Sequence, residues 1–94
     1  MDTKTNQIII DYLKQYDPKE IGVFGSYARN EMTSKSDIDI LYTLNTRINL
    51  FDLVGIKLDL EEKLQRKVDF VSKKSLKEWI RPYVMKDLQI IYEK

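Results

Sequence analysis

Two adjacent small residues and three carboxylates carry the chemistry that this chain can offer. Gly25-Ser26 closes the apolar run Ile21, Val23, Phe24. A Gly-Ser pair there reads as a strand turning into a helix N-terminus, where free N–H groups suit a phosphate. Ten residues later comes Asp37-Ile38-Asp39-Ile40-Leu41. Alternate strand residues share a face, so both carboxylates point one way while Ile38 and Ile40 point into a core. Two carboxylates beside a phosphate-binding turn suit Mg²⁺ carrying a nucleoside triphosphate. Asp69, in Lys67-Val68-Asp69-Phe70-Val71, is a third carboxylate inside an apolar strand. It reaches the same place if the strand over 66–71 lies beside the strand over 37–43.

Each of these residues has a plainer reading. Asp pairs also occur on the wet side of amphipathic strands, yet Asp is depleted in strands, so two inside an apolar one need a reason. Ser26 could be an ordinary N-cap and Gly25 an ordinary turn residue. Asp69 could be a charge that protects a sheet edge. Arg29, one turn into the helix, either meets a phosphate or is a solvated helix residue. Trp79 and the six tyrosines suit core packing as well as binding. The cluster Arg66, Lys67, Lys73, Lys74 and Lys77 reads as a solvated face or as a steering field for phosphate.

The elements that would position these groups follow from pattern. Ile8, Ile9, Tyr12, Leu13 and Tyr16 predict an amphipathic helix over 5–16, ended by Asp17-Pro18. A strand is expected over 20–25, a short helix over 26–31, a loop over 32–36 and a strand over 37–43. A loop over 44–49 leads to a helix over 50–65 with Leu50, Leu53, Val54, Leu60 and Leu64 on its apolar side. Val68, Phe70 and Val71 predict the third strand. Ser75 and Glu78 match a capping box, Pro82 breaks or restarts the helix, and Val84, Met85, Leu88, Ile91 and Tyr92 suggest a last helix. The order αβαβαβαα predicts an α/β sandwich: a small mixed sheet of three or slightly more strands, covered by helices.

Composition narrows the chemistry. The 94 residues make one small domain, 1–94, and 43% are hydrophobic, enough for a core. Lys and Arg number 16 against 15 Asp and Glu, so no nucleic-acid surface is expected. With neither Cys nor His, thiolate chemistry, common zinc sites and Ser-His-Asp triads are excluded. No apolar run approaches the ~20 residues that span a bilayer. The polar N-terminus lacks a secretory signal, so a cytoplasmic location is expected.

Taken together, Gly25-Ser26-Tyr27-Ala28-Arg29, Ser36-Asp37-Ile38-Asp39-Ile40, Leu50-Phe51-Asp52-Leu53 and Leu64-Gln65-Arg66-Lys67-Val68-Asp69-Phe70-Val71 resemble the DNA polymerase β-type nucleotidyltransferase superfamily. Within it, the chain is similar to the minimal nucleotidyltransferases, the MNT or MntA-type antitoxins. The resemblance implies a polymerase-palm-like fold. It implies that Gly25 and Ser26, with Arg29 and Ser36, bind the nucleotide, and that Asp37, Asp39 and Asp69 hold two Mg²⁺ ions and do the catalysis. It implies ATP as substrate and a HEPN-domain toxin as partner in a hetero-oligomer, some relatives silencing the toxin by transferring AMP to a tyrosine. Asn30 stands where the family often has Gly, and Asn tolerates left-handed backbone.

Two classes of function follow. In one, the chain transfers AMP from ATP to a partner's tyrosine, with Asp69 accepting its proton in the absence of histidine. A small-molecule acceptor is the neighbouring reading, but 94 residues leave little chain for a dedicated acceptor pocket. In the other, the chain is a non-catalytic antitoxin that neutralises its partner by binding alone. Partner docking is expected through the segment Trp79 to Tyr92 or the loop Thr43 to Asn49.

Overall fold

The computed structural model describes residues 2–94. Asp2 caps the first helix, α1 (Thr3–Leu13), by accepting from the Lys4 N–H and the Thr5 hydroxyl. A 3-10 turn over Lys14–Tyr16 follows, and Asp17 takes a left-handed conformation (φ 50°) that turns the chain into β1 (Pro18–Phe24). A single helical turn, α2 (Gly25–Ala28), follows β1 without a linker. It ends two residues before the left-handed Asn30 (φ 59°), so the helix expected to residue 31 is shorter. Then come β2 (Ile38–Leu44), α3 (Leu50–Leu64), β3 (Val68–Ser72), α4 (Arg81–Asp87) and β4 (Gln89–Glu93).

The sheet is mixed, with strand order β3-β2-β1-β4. β1 pairs antiparallel with β2 and β4, and β2 pairs parallel with β3. A parallel pair needs a long crossover, and α3 supplies it. Asn49 and Asp52 start α3 with a reciprocal capping box, at 2.8 and 3.1 Å. Ile21 and Val23 from β1, Ile38 and Ile40 from β2, and Val68 and Phe70 from β3 face α1 and α3. Those helices contribute Ile9, Leu13, Ile56 and Leu60. Tyr42 and Phe70 stack across the parallel pair with centroids 4.0 Å apart.

The opposite sheet face carries the alternate residues, and α4 covers part of it. Leu41 and Val84 are buried outside the main core. Gly22 has no room for a side chain here, because an added Cβ would lie 2.6 Å from Leu88 Cδ1.

The C-terminal quarter departs from the sequence reading. Residues 89–93 form a strand, so the fourth strand replaces the end of the expected last helix. The spacing of Val84, Leu88, Ile91 and Tyr92 fits a helix. The run Gln89-Ile90-Ile91-Tyr92 is also β-branched and aromatic, and it completes the otherwise open edge of β1. Ser75 and Glu78 do not cap a helix; turns occupy 73–80 until α4 begins at Arg81. Pro82 lies in the first turn of α4, where its missing N–H costs no hydrogen bond. On α3, Ile56 and Leu60 are buried, whereas Leu50 and Val54, expected on the apolar side, are exposed together with Phe51 and Leu58.

Candidate active site

Pairing of the strands assembles the carboxylates. Asp39 and Asp69 are register partners in the parallel β2–β3 pair, where neighbouring strands run ~4.8 Å apart. Their neighbours Ile38, Ile40, Val68 and Phe70 are buried under α1 and α3, so both carboxylates rise from the other face. Asp37 sits just before β2, and the Ile38 N–H bonds to the Lys67 carbonyl at 2.9 Å, so pairing begins directly after it. Asp37 and Asp69 are exposed, while Asp39 is half-buried.

Asp39 is the strained member. Burial pushes its carboxyl up to about 6, the neighbouring Asp69 and Asp37 charges add to the rise, and Arg29 opposes it. Antiparallel pairing sets Phe24 opposite Asp39, which brings the next residue, Gly25, against the carboxylate. Gly25 is left-handed (φ 68°), and an added Cβ would collide with Asp39 Oδ2. Only glycine meets both demands. A half-buried turn thus lies against a carboxylate of raised pKa.

Three of the expected site residues share one cleft. A cavity of about 410 Å³ is lined by Gly25, Arg29 and Asp39 on one side. Ile80, Tyr83, Val84, Lys86 and Asp87 line the other. Arg29 is neither free nor merely solvated. It donates to Glu31 at 2.9 Å and to Asp87 at 2.5 Å, which ties α2 to α4. Ser26 is not the helix cap: Phe24 holds that position, without a side-chain hydrogen bond.

Ser36 and Asp37 line a neighbouring recess of about 590 Å³ with Lys35, Arg66 and Lys67. The Ser36 hydroxyl accepts from the Thr33 N–H at 2.9 Å, so it shapes the loop that delivers Asp37. Arg66 pins the same loop, donating to the carbonyls of Thr33 (2.7 Å) and Ser36 (3.1 Å). Lys73 is paired with Glu20 at 2.8 Å. These two bases of the sequence cluster therefore have structural partners. The α4 lining, Lys86 and Tyr83 above all, is the part of the cleft that sequence motifs did not mark. The sequence marks this segment only as a partner-docking surface, Trp79 to Tyr92, and not as a wall of the cleft.

The donor set suits a hard cation, since it is all carboxylate oxygen and its mutual repulsion would be relieved by positive charge. Among the described residues, however, no three Asp, Glu, His or Cys side chains are already drawn together to hold a metal. The backbone brings Asp39 and Asp69 into register, with Asp37 immediately before β2. No helix among the described residues is long and apolar enough to cross a membrane.

Comparison with known proteins identifies the family. Residues 7–92 match the nucleotidyltransferase domain family. The chain is 37% identical over 75 residues to protein adenylyltransferase MntA of Thermococcus cleftensis, covering 80% of this chain and 76% of that one. It superposes with a TM-score of 0.77 and 30% identity on a solved minimal nucleotidyltransferase, covering 95% of both chains. It shares its fold (TM-score 0.80, 21% identity, 100% of this chain and 74% of the other) with a chain of a Shewanella oneidensis complex between tri-AMPylated HEPN toxin and MNT antitoxin. The chain belongs to the nucleotidyltransferase domain family and is a minimal nucleotidyltransferase of the MntA type.

Proposed function

We propose that this nucleotidyltransferase moves AMP from ATP to a tyrosine hydroxyl of a HEPN-domain partner and thereby acts as the antitoxin of a cytoplasmic toxin–antitoxin pair. The observation that carries the reading is the contact between Asp39 and the Gly25 turn, with Asp69 in register beside it. It sets the turn that this reading assigns to phosphate against one of two carboxylates paired in register.

The turn at Gly25 and Ser26 presents N–H groups and a hydroxyl to the triphosphate. Because α2 is a single turn, these local donors matter more than a helix dipole. Asp37, Asp39 and Asp69 would hold Mg²⁺, which supplies charge neutralisation of the phosphates and stabilises the attacking and leaving oxygens of an in-line displacement. Asp69 is the exposed member of the pair and in this reading receives the acceptor's proton. Arg29 orients toward the cleft while paired with Asp87, so it can turn to the polyphosphate without crossing the site. The bond between the α- and β-phosphates breaks as the tyrosine oxygen bonds to the α-phosphorus, and pyrophosphate leaves.

Incubation of the chain with a HEPN partner, ATP and Mg²⁺ tests this by intact mass. AMP-sized increments on a partner tyrosine, lost with Asp39→Ala, are expected. The rival reading is neutralisation by binding alone. Toxin neutralisation by Asp39→Ala at the wild-type level would favour that rival.

A further inference from the structure

α4 leaves an aromatic side chain standing in solvent in the cleft that Asp39 lines. Tyr83 is 74% exposed, although its neighbour Val84 is only 5% exposed. Tyr83 therefore adds little to the packing of α4, yet it lines the same cavity as Gly25, Arg29 and Asp39. Ile80, Tyr83, Val84 and Asp87 follow the i, i+3, i+4, i+7 spacing of one helix face, so this wall is continuous.

The cleft has two chemically different ends. Gly25, Arg29 and Asp39 form a polar end that suits phosphates and their counter-ion. On α4, Ile80, Tyr83 and Val84 form an apolar patch; the charges beside it are Lys86 and Asp87, and Asp87 is neutralised by its pairing with Arg29. A nucleoside triphosphate has the same polarity, a polyanionic tail and a flat base with two π-faces. With the phosphates at Gly25 and Asp39, the base has three directions to go. Toward β3 it meets the Asp69 carboxylate, and toward the recess beyond Ser36 it meets Asp37. Toward α4 it meets an exposed ring. We propose that Tyr83 is the stacking platform for the base of the bound nucleotide, with Ile80 and Val84 as the apolar floor of that subsite. The proposal rests on the nucleotidyltransferase reading of the cleft and extends it to the base.

Stacking is tolerant of base identity, because every base presents a π-face. Tyr83 therefore contributes affinity for nucleotides in general and little choice among them. The ring is the working part, so Phe should serve as well as Tyr.

Isothermal titration of the full chain with ATP and with inorganic tripolyphosphate, both in Mg²⁺, tests the subsite. Tripolyphosphate has the anionic tail and no base. Tyr83→Ala should weaken ATP about tenfold or more, within the range of a base–aromatic stack, and leave tripolyphosphate within about twofold. Tyr83→Phe should bind ATP like wild type. Because Tyr83 is exposed, the variants should melt with wild type, and this is checked in parallel. Tyr83→Ala binding ATP normally would overturn the proposal while leaving the nucleotidyltransferase reading intact. Equal loss of ATP and tripolyphosphate would also overturn it, since the defect would then lie at the phosphate end. If wild type binds no ATP at all, both fail. Normal ATP affinity with weakened HEPN-partner binding would assign Tyr83 to a docking surface instead.

Discussion

Asp39→Asn should make the isolated domain more stable at pH 8 and no more stable near pH 4. The carboxyl rises from an ordinary 3.8 to about 6, because of burial first and the Asp69 and Asp37 charges second. A folded pKa above the unfolded one means that the native state holds the proton more tightly. Below about pH 4 the group is protonated in both states and costs nothing. Between pH 4 and 6 the unfolded chain releases the proton first, so wild-type stability falls as pH rises. Above about pH 6 the whole cost is present. Two pKa units correspond to ~3 kcal/mol, and partial exposure of Asp39 screens this to ~1–2 kcal/mol. The substituted amide carries no charge at any pH and keeps the side-chain size. At pH 8 the variant's melting temperature should exceed that of wild type by roughly 5–15 °C for a domain of this size. The measurement is a pair of thermal melts with chelator at pH 4 and pH 8, alongside AMP transfer with Mg²⁺, which the variant should lose. A gain that is equal at both pH values, or a loss at pH 8, would refute the reasoning that Asp39 is held against its own ionisation.

Four further outcomes follow from the same geometry. Gly25→Ala should lose both stability, by ~1–2 kcal/mol for the left-handed backbone alone, and transfer, because the new Cβ displaces the Asp39 carboxylate; melts and single-turnover assays report the two. Ser26→Ala should leave the melting temperature unchanged, since Ser26 caps nothing, while nucleotide affinity at fixed Mg²⁺ falls; a loss of ~1 kcal/mol in stability would restore the cap reading. Asp69→Asn should keep measurable ATP binding and lose turnover, and normal single-turnover rates would return Asp69 to the role of an edge charge. Trp79→Ala should change stability by no more than ~0.5 kcal/mol, because Trp79 is 71% exposed; calorimetry against the HEPN partner then tells whether it docks.

Most of the helical side of the sheet was legible in the chain because each strand there has a clear alternation. Ile38 and Ile40 bracket Asp39, and Val68 and Phe70 bracket Asp69, so the sequence separates core face from site face twice. Parallel pairing then follows from α3 as a crossover, and the two carboxylates meet in register. The C-terminal segment lacks such alternation. Leu88-Gln89-Ile90-Ile91-Tyr92 satisfies a helical stripe and a strand about equally, and the decision lies in a distant residue, Gly22, whose bare backbone admits Leu88 and the β4 chain. A local pattern cannot register that vacancy. The same limit applies to α3: Ile56 and Leu60 are the buried positions, and the apolar pattern alone does not separate them from Leu50 and Val54, which are exposed.

For the site, the sequence marked the groups whose types are unusual for their element, and assigned those of ordinary type elsewhere, Tyr83 to a docking segment. Asp inside an apolar strand is conspicuous. Tyr83 and Lys86 in a short helix are not, and they become relevant only when β4 folds back along β1 and carries α4 over the open sheet face. Arg29 shows the same dependence. Its spacing from Ser26 puts it in the cleft, yet its pairing with Asp87 joins two segments 58 residues apart. That ion pair couples the phosphate end of the cleft to the helix that walls the other end. A ligand that drew Arg29 away from Asp87 would therefore also loosen the attachment of α4. The polyphosphate and the base would in this way be read by elements that are mechanically linked, although no motif in the sequence connects them.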